Sequence, residues 1–147
     1  MGTPPLGIDL PCSDIAILCA VYDSDTFSAH VRQACGNRDR FEIIRRPELN
    51  AVIVRFDDQG WPFESFGQNL PVAQQNGWRH FAIERRLLAL GGPNLRAAVM
   101  TQRRAGLKTE PAFATILALP GDPYAALLDL EQDSDDVLLA RINACRG

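Results

Sequence analysis

The order in which strand and helix signals occur along this 147-residue chain predicts an α+β fold. The segments rich in β-branched and aromatic residues lie within residues 1–70, whereas helical periodicity dominates residues 71–147. Strands that precede the helices, rather than alternating with them, are typical of α+β domains. A chain of this length fits a single domain. We therefore predict one domain over residues 1–147, with a mixed or antiparallel sheet and helices packed beside it.

The first strand and the first helix are predicted near the start of the chain. Residues 14–21 form a short apolar run with Pro and Ser before it and Asp after it, which indicates a buried strand. Residues 23–36 are typical of a helix, since Asp23 supplies an N-cap oxygen and Gly36 can adopt the left-handed conformation of a C-cap. The apolar stripe predicted to face the core consists of Phe27, Val31, Ala34 and Cys35.

Three further strands are predicted in the first half of the chain, over residues 41–45, 51–56 and 61–66. The second of them is rich in β-branched residues, and residues 57–60, Asp-Asp-Gln-Gly, provide the turn of a hairpin. The first half is therefore predicted as a strand, a helix and a meander of three strands.

Glycine and proline divide the second half of the chain into helices. Residues 77–90 have a broad apolar face, Gly91 and Gly92 end that pattern, and Pro93 is suited to begin the next helix. Shorter helices are predicted over residues 112–119, 124–131 and 137–145. The aromatic residues predicted to lie in the core of this half are Trp78 and Phe113.

Composition and charge exclude several classes of protein. The net charge of -3 and the pI of about 5.3 exclude a general nucleic-acid-binding protein, which carries a basic excess. The chain shows no signal peptide and no apolar run of the roughly 18 residues that span a membrane, so no membrane partner is expected. The four cysteines lack C-x-x-C spacing, which argues against a zinc site and predicts free thiols in the cytoplasm.

Two carboxylates are candidates for a metal site. Asp14 opens the first predicted strand, and Glu64 lies between apolar residues of the strand over residues 61–66. A carboxylate in an apolar strand is costly unless it is paired, solvated or bound to a metal. If the two strands are neighbours, both acids can face one cleft, and Mg²⁺ uses one or two carboxylates together with phosphate oxygens. The alternative is that Glu64 faces water on the outer side of an antiparallel strand.

His80 and Glu84 are candidates on the first long helix. Their spacing places them on one helical face, with Arg79 and Arg85 beside them. One interpretation makes this face a cleft wall that contacts a base, a ribose or an acceptor, and the other makes it a surface His–Glu pair. Residues 108–110, Lys-Thr-Glu, are interpreted first as the cap of the helix that follows and second as a lysine–phosphate contact.

Short segments distributed over most of the chain carry a resemblance to a known family. They are Gly2-Thr3, residues 7–11 (GIDLP), 13–15 (SDI), 63–68 (FESFGQ) and 71–75 (PVAQQ), the pairs Arg79-His80 and Ile83-Glu84, and residues 106–114 (GLKTEPAFA). From Gly2 to about Leu130 the chain resembles an uncharacterised bacterial domain-of-unknown-function family within the nucleotidyltransferase-like superfamily. The resemblance implies a mixed sheet with helices beside it, and a cleft that binds a nucleotide with Mg²⁺.

The resemblance also implies roles for individual residues. Gly2 and Thr3 fall at the turn that cradles phosphate, and Asp14 falls at the first metal carboxylate. Ala16 stands where the second carboxylate is expected, which implies weak or no transfer, because two-metal chemistry needs bridging acids. Glu64 is the candidate for the third acid. The implied catalytic and metal-binding residues are Asp14 and Glu64, and the implied nucleotide-binding residues are Gly2, Thr3, Ser13, Gln68, Arg79, His80 and Glu84.

The chain begins at the phosphate turn, whereas the superfamily places a helix and a strand before it. An open sheet edge is therefore expected, which predicts a homodimer. The first functional hypothesis is a nucleotidyltransferase-like domain that binds a nucleotide with Mg²⁺ and has weak or no transfer activity. The second is a non-catalytic interaction module that retains the fold without the ligand. A third, a nucleoside-polyphosphate hydrolase, has no supporting motif in the sequence.

Overall fold

The computed structural model describes residues 1–145, and within them the chain forms four β-strands and five α-helices. All four strands lie between residues 15 and 68, and four of the five helices follow residue 75. This segregation confirms the predicted α+β class. Each observed strand also overlaps one of the four that the sequence predicts.

The sheet is mixed, and its strands lie in the order β1-β4-β3-β2. The strands are β1 (Ile15–Ala20), β2 (Asp39–Arg46), β3 (Ala51–Asp58) and β4 (Trp61–Gln68). β1 is parallel to β4, whereas β4, β3 and β2 form the predicted antiparallel meander. The first four residues of β3 are all buried, and because successive side chains point to opposite faces of the sheet, both faces are shielded from water there.

β1 and β2 form the two edges of the sheet. At the β1 edge, the ammonium group of Met1 donates a hydrogen bond to the carbonyl oxygen of Ala16 at 2.7 Å. β2 carries charged residues at both of its ends, which is a common protection of an edge strand against pairing with another chain. The homodimer expected from an open edge stays a prediction.

The helix α1 (Ser24–Cys35) begins as predicted but ends differently. The Asp23 carboxylate accepts hydrogen bonds from the backbone amides of Asp25 and Thr26 and so caps the first turn. Gly36 has a φ of -63°, so the predicted left-handed C-cap is wrong; its amide still donates to the Arg32 carbonyl, which extends the right-handed turn. The predicted apolar stripe is also incorrect at Ala34, which is exposed.

Four helices form the second half of the chain: α2 (Asn76–Arg104), α3 (Thr109–Ile116), α4 (Pro123–Asp129) and α5 (Asp135–Ala144). α2 is interrupted at Gly92, whose φ of 60° is not helical, and Pro93 begins the continuation. The predicted break between two helices is therefore confirmed in position. α3 begins at Thr109, earlier than the predicted residue 112, because Pro111 is tolerated in the first helical turn.

The chain divides into two compact units. Met1–Pro5 and Cys12–Trp78 form the first, which we call the strand unit; Leu6–Pro11 and the chain from Arg79 onward form the second, which we call the helical unit. The sequence predicts the change from strands to helices after residue 70, and the helix α2 begins at Asn76. That both units belong to one domain over residues 1–147 stays a prediction.

The helical unit has its own apolar core. Leu6 and Ile8 from the N-terminal segment belong to it, and Arg96 of α2 donates hydrogen bonds to the carbonyl oxygens of Leu6 and Gly7. Phe113 is fully buried in this core, as predicted, whereas Trp78 is 39% exposed, so its predicted core position is wrong. Within the described residues, no helix is both long enough and apolar enough to cross a membrane.

Candidate functional site

The N-terminal turn lies against the start of β1 in the strand unit. Gly2 has a φ of 93°, a conformation that favours glycine, and a Cβ built on it would lie 3.4 Å from the Cβ of Ala16. The Thr3 hydroxyl donates to the Oγ of Ser13 at 3.1 Å, and Ser13 is buried. The structure therefore brings together three of the predicted phosphate-binding residues, Gly2, Thr3 and Ser13.

Ala16 and Glu64 are neighbours in the sheet. They are register partners in the parallel pair of β1 and β4, so the position that lacks the expected acid lies beside the candidate third acid. On its other side, Glu64 is the register partner of Arg55 in β3. The Arg55 guanidinium donates to Oε2 of Glu64 through Nη2 at 2.7 Å and through Nε at 2.8 Å. The carboxylate that the sequence interprets as a metal ligand is thus already paired.

Asp14 lies immediately before β1 and is exposed. Its carboxylate and the neighbouring hydroxyl groups fit one Mg²⁺ that is held mainly by the phosphate oxygens of a ligand, since Mg²⁺ needs few protein ligands. They do not fit a pair of metal ions, because Ala16 offers no oxygen ligand on its side chain. Among residues 1–145, no group of three or more His, Cys, Asp or Glu side chains could hold a metal ion. That Asp14 and Glu64 share one cleft stays a prediction.

Gln68 and Arg79 make contacts inside their own units. The Gln68 side-chain amide donates to the carbonyl oxygen of Leu49 at 3.1 Å, which ties the end of β4 to the turn before β3. The Arg79 guanidinium lies 2.6 Å from the Glu131 carboxylate, and this pairing raises the pKa of Arg79. Nucleotide binding by either residue stays a prediction.

His80 is buried where three helices of the helical unit meet. Its Nε2 lies 3.0 Å from the carbonyl oxygen of Tyr124 in α4, and its Nδ1 lies 3.9 Å from Oε1 of Glu110 in α3. The interpretation of His80 and Glu84 as a surface pair is wrong, since only 8% and 5% of these residues are exposed. They are spaced by one helical turn as predicted, but both point into protein rather than into water.

Glu84 is the most perturbed ionisable group in the described chain. Its pKa is raised from 4.5 to about 8, mainly by burial and secondly by the negative charge of Glu110, while Arg103 acts in the opposite direction. Arg103 donates through Nη1 to the hydroxyl of Thr109, and its Nε is buried without a partner among the described residues. Perturbed groups of this kind occur often at functional sites.

The sequence does not predict that Glu110 and Arg103 act on Glu84. Residues 108–110 were interpreted as a helix cap, yet Lys108, which stands at the N-cap of α3, makes no capping hydrogen bond through its side chain. Nothing local in the sequence indicates that Glu110 faces Glu84.

A comparison with protein-family models identifies the family. Residues 1–130 match the model described as Domain of unknown function (DUF4269), and the chain belongs to that family. The match begins at Met1, directly before the Gly2–Thr3 turn, and extends through α4. Searches of curated proteins and of solved structures found no match.

Proposed function

We propose that the strand unit is a nucleotidyltransferase-like domain that binds a nucleotide with Mg²⁺ and transfers its nucleotidyl group weakly or not at all. The observation that carries the proposal is the packing of the Gly2–Thr3 turn against residues 13–16. This packing brings a glycine turn and two hydroxyl groups next to the backbone of Asp14 within the strand unit.

The turn has the chemistry of a phosphate-binding site. Gly2 lets the backbone approach an anion closely, because it has no side chain and adopts a positive φ. The hydroxyls of Thr3 and Ser13 can each donate to a phosphate oxygen once their mutual hydrogen bond is exchanged for the ligand. Asp14 would hold the Mg²⁺, which neutralises phosphate charge when it is bound.

Transfer is expected to be weak because the acids needed to hold two metal ions are incomplete. Two-metal phosphoryl transfer requires carboxylates that fix both ions and align the attacking and leaving oxygens. Ala16 supplies none, and the adjacent Glu64 carboxylate is engaged by Arg55. Because the Arg55–Glu64 pair is exposed, it opposes the use of Glu64 as a ligand only by the small coupling energy of a surface ion pair.

The second candidate function is a non-catalytic interaction module. It is favoured by the Arg55–Glu64 ion pair, because the two side chains balance each other's charge on the β3–β4 surface without a ligand. Four large hydrophobic residues of the strand unit are also more than 40% exposed: Ile17 at 41%, Trp61 at 45%, Leu49 at 53% and Tyr22 at 73%. Single exposed apolar residues are common on protein surfaces, so this observation is the weaker of the two.

Isothermal titration with a nucleoside triphosphate and Mg²⁺ tests the proposal. We expect measurable binding to the wild-type chain, a loss of Mg²⁺-dependent affinity in Asp14→Asn, and tighter Mg²⁺-dependent binding in Ala16→Asp. Asp39→Asn is the matched control, since this exposed residue at the start of β2 lies outside the turn. Absence of binding in all forms, or equal affinity of the wild-type chain and both turn variants, would contradict the proposal and support the interaction module.

A further inference from the structure

The protonation state of His80 is constrained by its hydrogen bond. A carbonyl oxygen only accepts, so Nε2 of His80 must carry the hydrogen that it donates to Tyr124. The second ring nitrogen, Nδ1, faces Glu110 at 3.9 Å. This geometry places an imidazole nitrogen next to a carboxylate at the junction of α2, α3 and α4.

Glu84 brings a second carboxylate to the same cluster. It is buried on α2, and Glu110 on α3 lies near enough to raise its pKa. Arg103 is the cation that acts on Glu84 among the described residues, but its guanidinium is shared with the Thr109 hydroxyl. Two carboxylates with one partly engaged cation leave an excess of negative charge when neither acid is protonated.

We propose that His80, Glu84 and Glu110 form a proton-sharing cluster, and that release of its proton at alkaline pH loosens α3 in the core of the helical unit. Of the two carboxylates, Glu110 can move into solvent more easily, since 23% of its side chain is exposed whereas Glu84 is buried. When Glu110 moves outward, the first turn of α3 moves with it, and the core residue Phe113 follows this turn in the same helix. The other titratable group at the junction is Tyr124, whose ring contacts that of His80 edge to face.

The direction of the pH effect follows from the pKa of Glu84, which is about 8 in the folded chain against an ordinary value of 4.5. The folded chain therefore holds this proton more tightly than the unfolded chain does. The resulting stabilisation is complete below pH 4.5, declines as the pH rises from there, and is lost above about pH 8. The response of α3 is thus expected between about pH 4.5 and pH 8 and is complete above pH 8.

Amide hydrogen exchange on the full chain tests the proposal, with rates corrected for the intrinsic pH dependence of exchange. Between pH 6 and pH 9 we expect the protection of the Phe113 amide to fall by at least about tenfold, because each pH unit inside the titration range is worth up to a factor of ten. The Leu87 amide of α2 is the internal reference and should lose less protection. In Glu84→Gln, whose amide cannot ionise, the protection of Phe113 should no longer fall.

Two further variants keep the test decisive. Glu110→Gln removes the facing charge and should also keep Phe113 protected at pH 9, which covers the case in which Glu84→Gln folds poorly. Glu48→Gln, the same change at an exposed residue of the strand unit, should behave as the wild type does. An unchanged protection of Phe113 in the wild type, an equal loss at Phe113 and Leu87, or a wild-type response in both cluster variants would overturn the proposal.

Discussion

The strand unit and the helical unit place their charged groups in different environments. In the strand unit, carboxylates are partnered at the surface by arginines on neighbouring segments. The ion pairs of this kind are Arg38–Asp58, Arg40–Asp57, Arg45–Asp25 and Arg55–Glu64. The helical unit also forms such ion pairs, Arg79–Glu131 and Arg86–Asp135, but in addition it buries Glu84 and His80, and the cation that acts on Glu84 is shared with another side chain.

Because of this difference, we expect a ligand to bind to the strand unit and the response to pH to occur in the helical unit. Surface ion pairs contribute little to stability and exchange readily with water, so the strand unit can accept an ionic ligand at low cost. A buried carboxylate that lacks full compensation titrates far from its ordinary pKa, so the helical unit changes with pH instead. The first of the following substitutions compares the two units, and the others test contacts within one unit.

Replacing the buried aromatic residue of the helical unit should have the largest effect on stability. Phe113 is fully buried, so Phe113→Ala removes apolar contacts, leaves a cavity, and should cost about 3–5 kcal/mol. Trp78→Ala, at an aromatic residue of the strand unit that is 39% exposed, should cost clearly less. Urea denaturation of both variants measures the difference. Equal costs would mean that Trp78 is buried in solution.

Removing the side chain of Arg96 should have the next largest effect. Arg96 donates to the carbonyl oxygens of Leu6 and Gly7, and hydrogen bonds to a charged group contribute about 1.5–3 kcal/mol each at most. We expect Arg96→Ala to lower the unfolding free energy by about 2 kcal/mol and to speed amide exchange of Ile8. Arg104→Ala, at the exposed end of α2, is the control, and an equal effect there would argue against a specific role of Arg96.

The N-cap of α4 should contribute less. The Asp122 carboxylate accepts from the amide of Ala125, and Asp122→Ala should cost about 1 kcal/mol. Asp122→Asn should retain most of the stability, since asparagine caps about as well as aspartate. Thermal unfolding of the two variants checks this, and an identical loss in both would show that the charge, rather than the cap, is what matters.

The ion pair beside Ala16 should contribute least. The side chains of Arg55 and Glu64 are 50% and 30% exposed, so a double-mutant cycle should give a coupling energy of about 0.2–1 kcal/mol. High salt should reduce it further, because exposed charges are screened. A coupling well above this range would show that the pair is shielded from water and would make Glu64 still less suited to bind a metal.

The sequence predicts those parts of the molecule that depend on neighbouring residues. The strands, the Asp23 cap and the break in α2 at Gly92 all follow from local patterns of apolar residues, caps and glycines. The Gly36 terminus was predicted incorrectly, because glycine permits a left-handed cap but does not require one.

The candidate site likewise has one part that the sequence predicts and one part that it does not. The turn at Gly2 and Thr3 is expected from the resemblance to the nucleotidyltransferase-like superfamily, and it packs against Ser13 and Ala16, which follow it closely in the chain. The partners of Glu84 could not be predicted, because α3 reaches α2 only through tertiary packing, which leaves no periodic signal in the sequence. The ion pair that engages Glu64 depends on the β3–β4 register in the same way.

Backbone NMR mapping of a Mg²⁺–nucleoside triphosphate titration tests the central claim most directly, since it reports on both units in one experiment. The account predicts that the largest amide shifts occur at Gly2, Thr3, Ser13 and Asp14, that they require Mg²⁺, and that they are lost in Asp14→Asn. Largest shifts in the helical unit, or no saturable shifts in the turn, would contradict it.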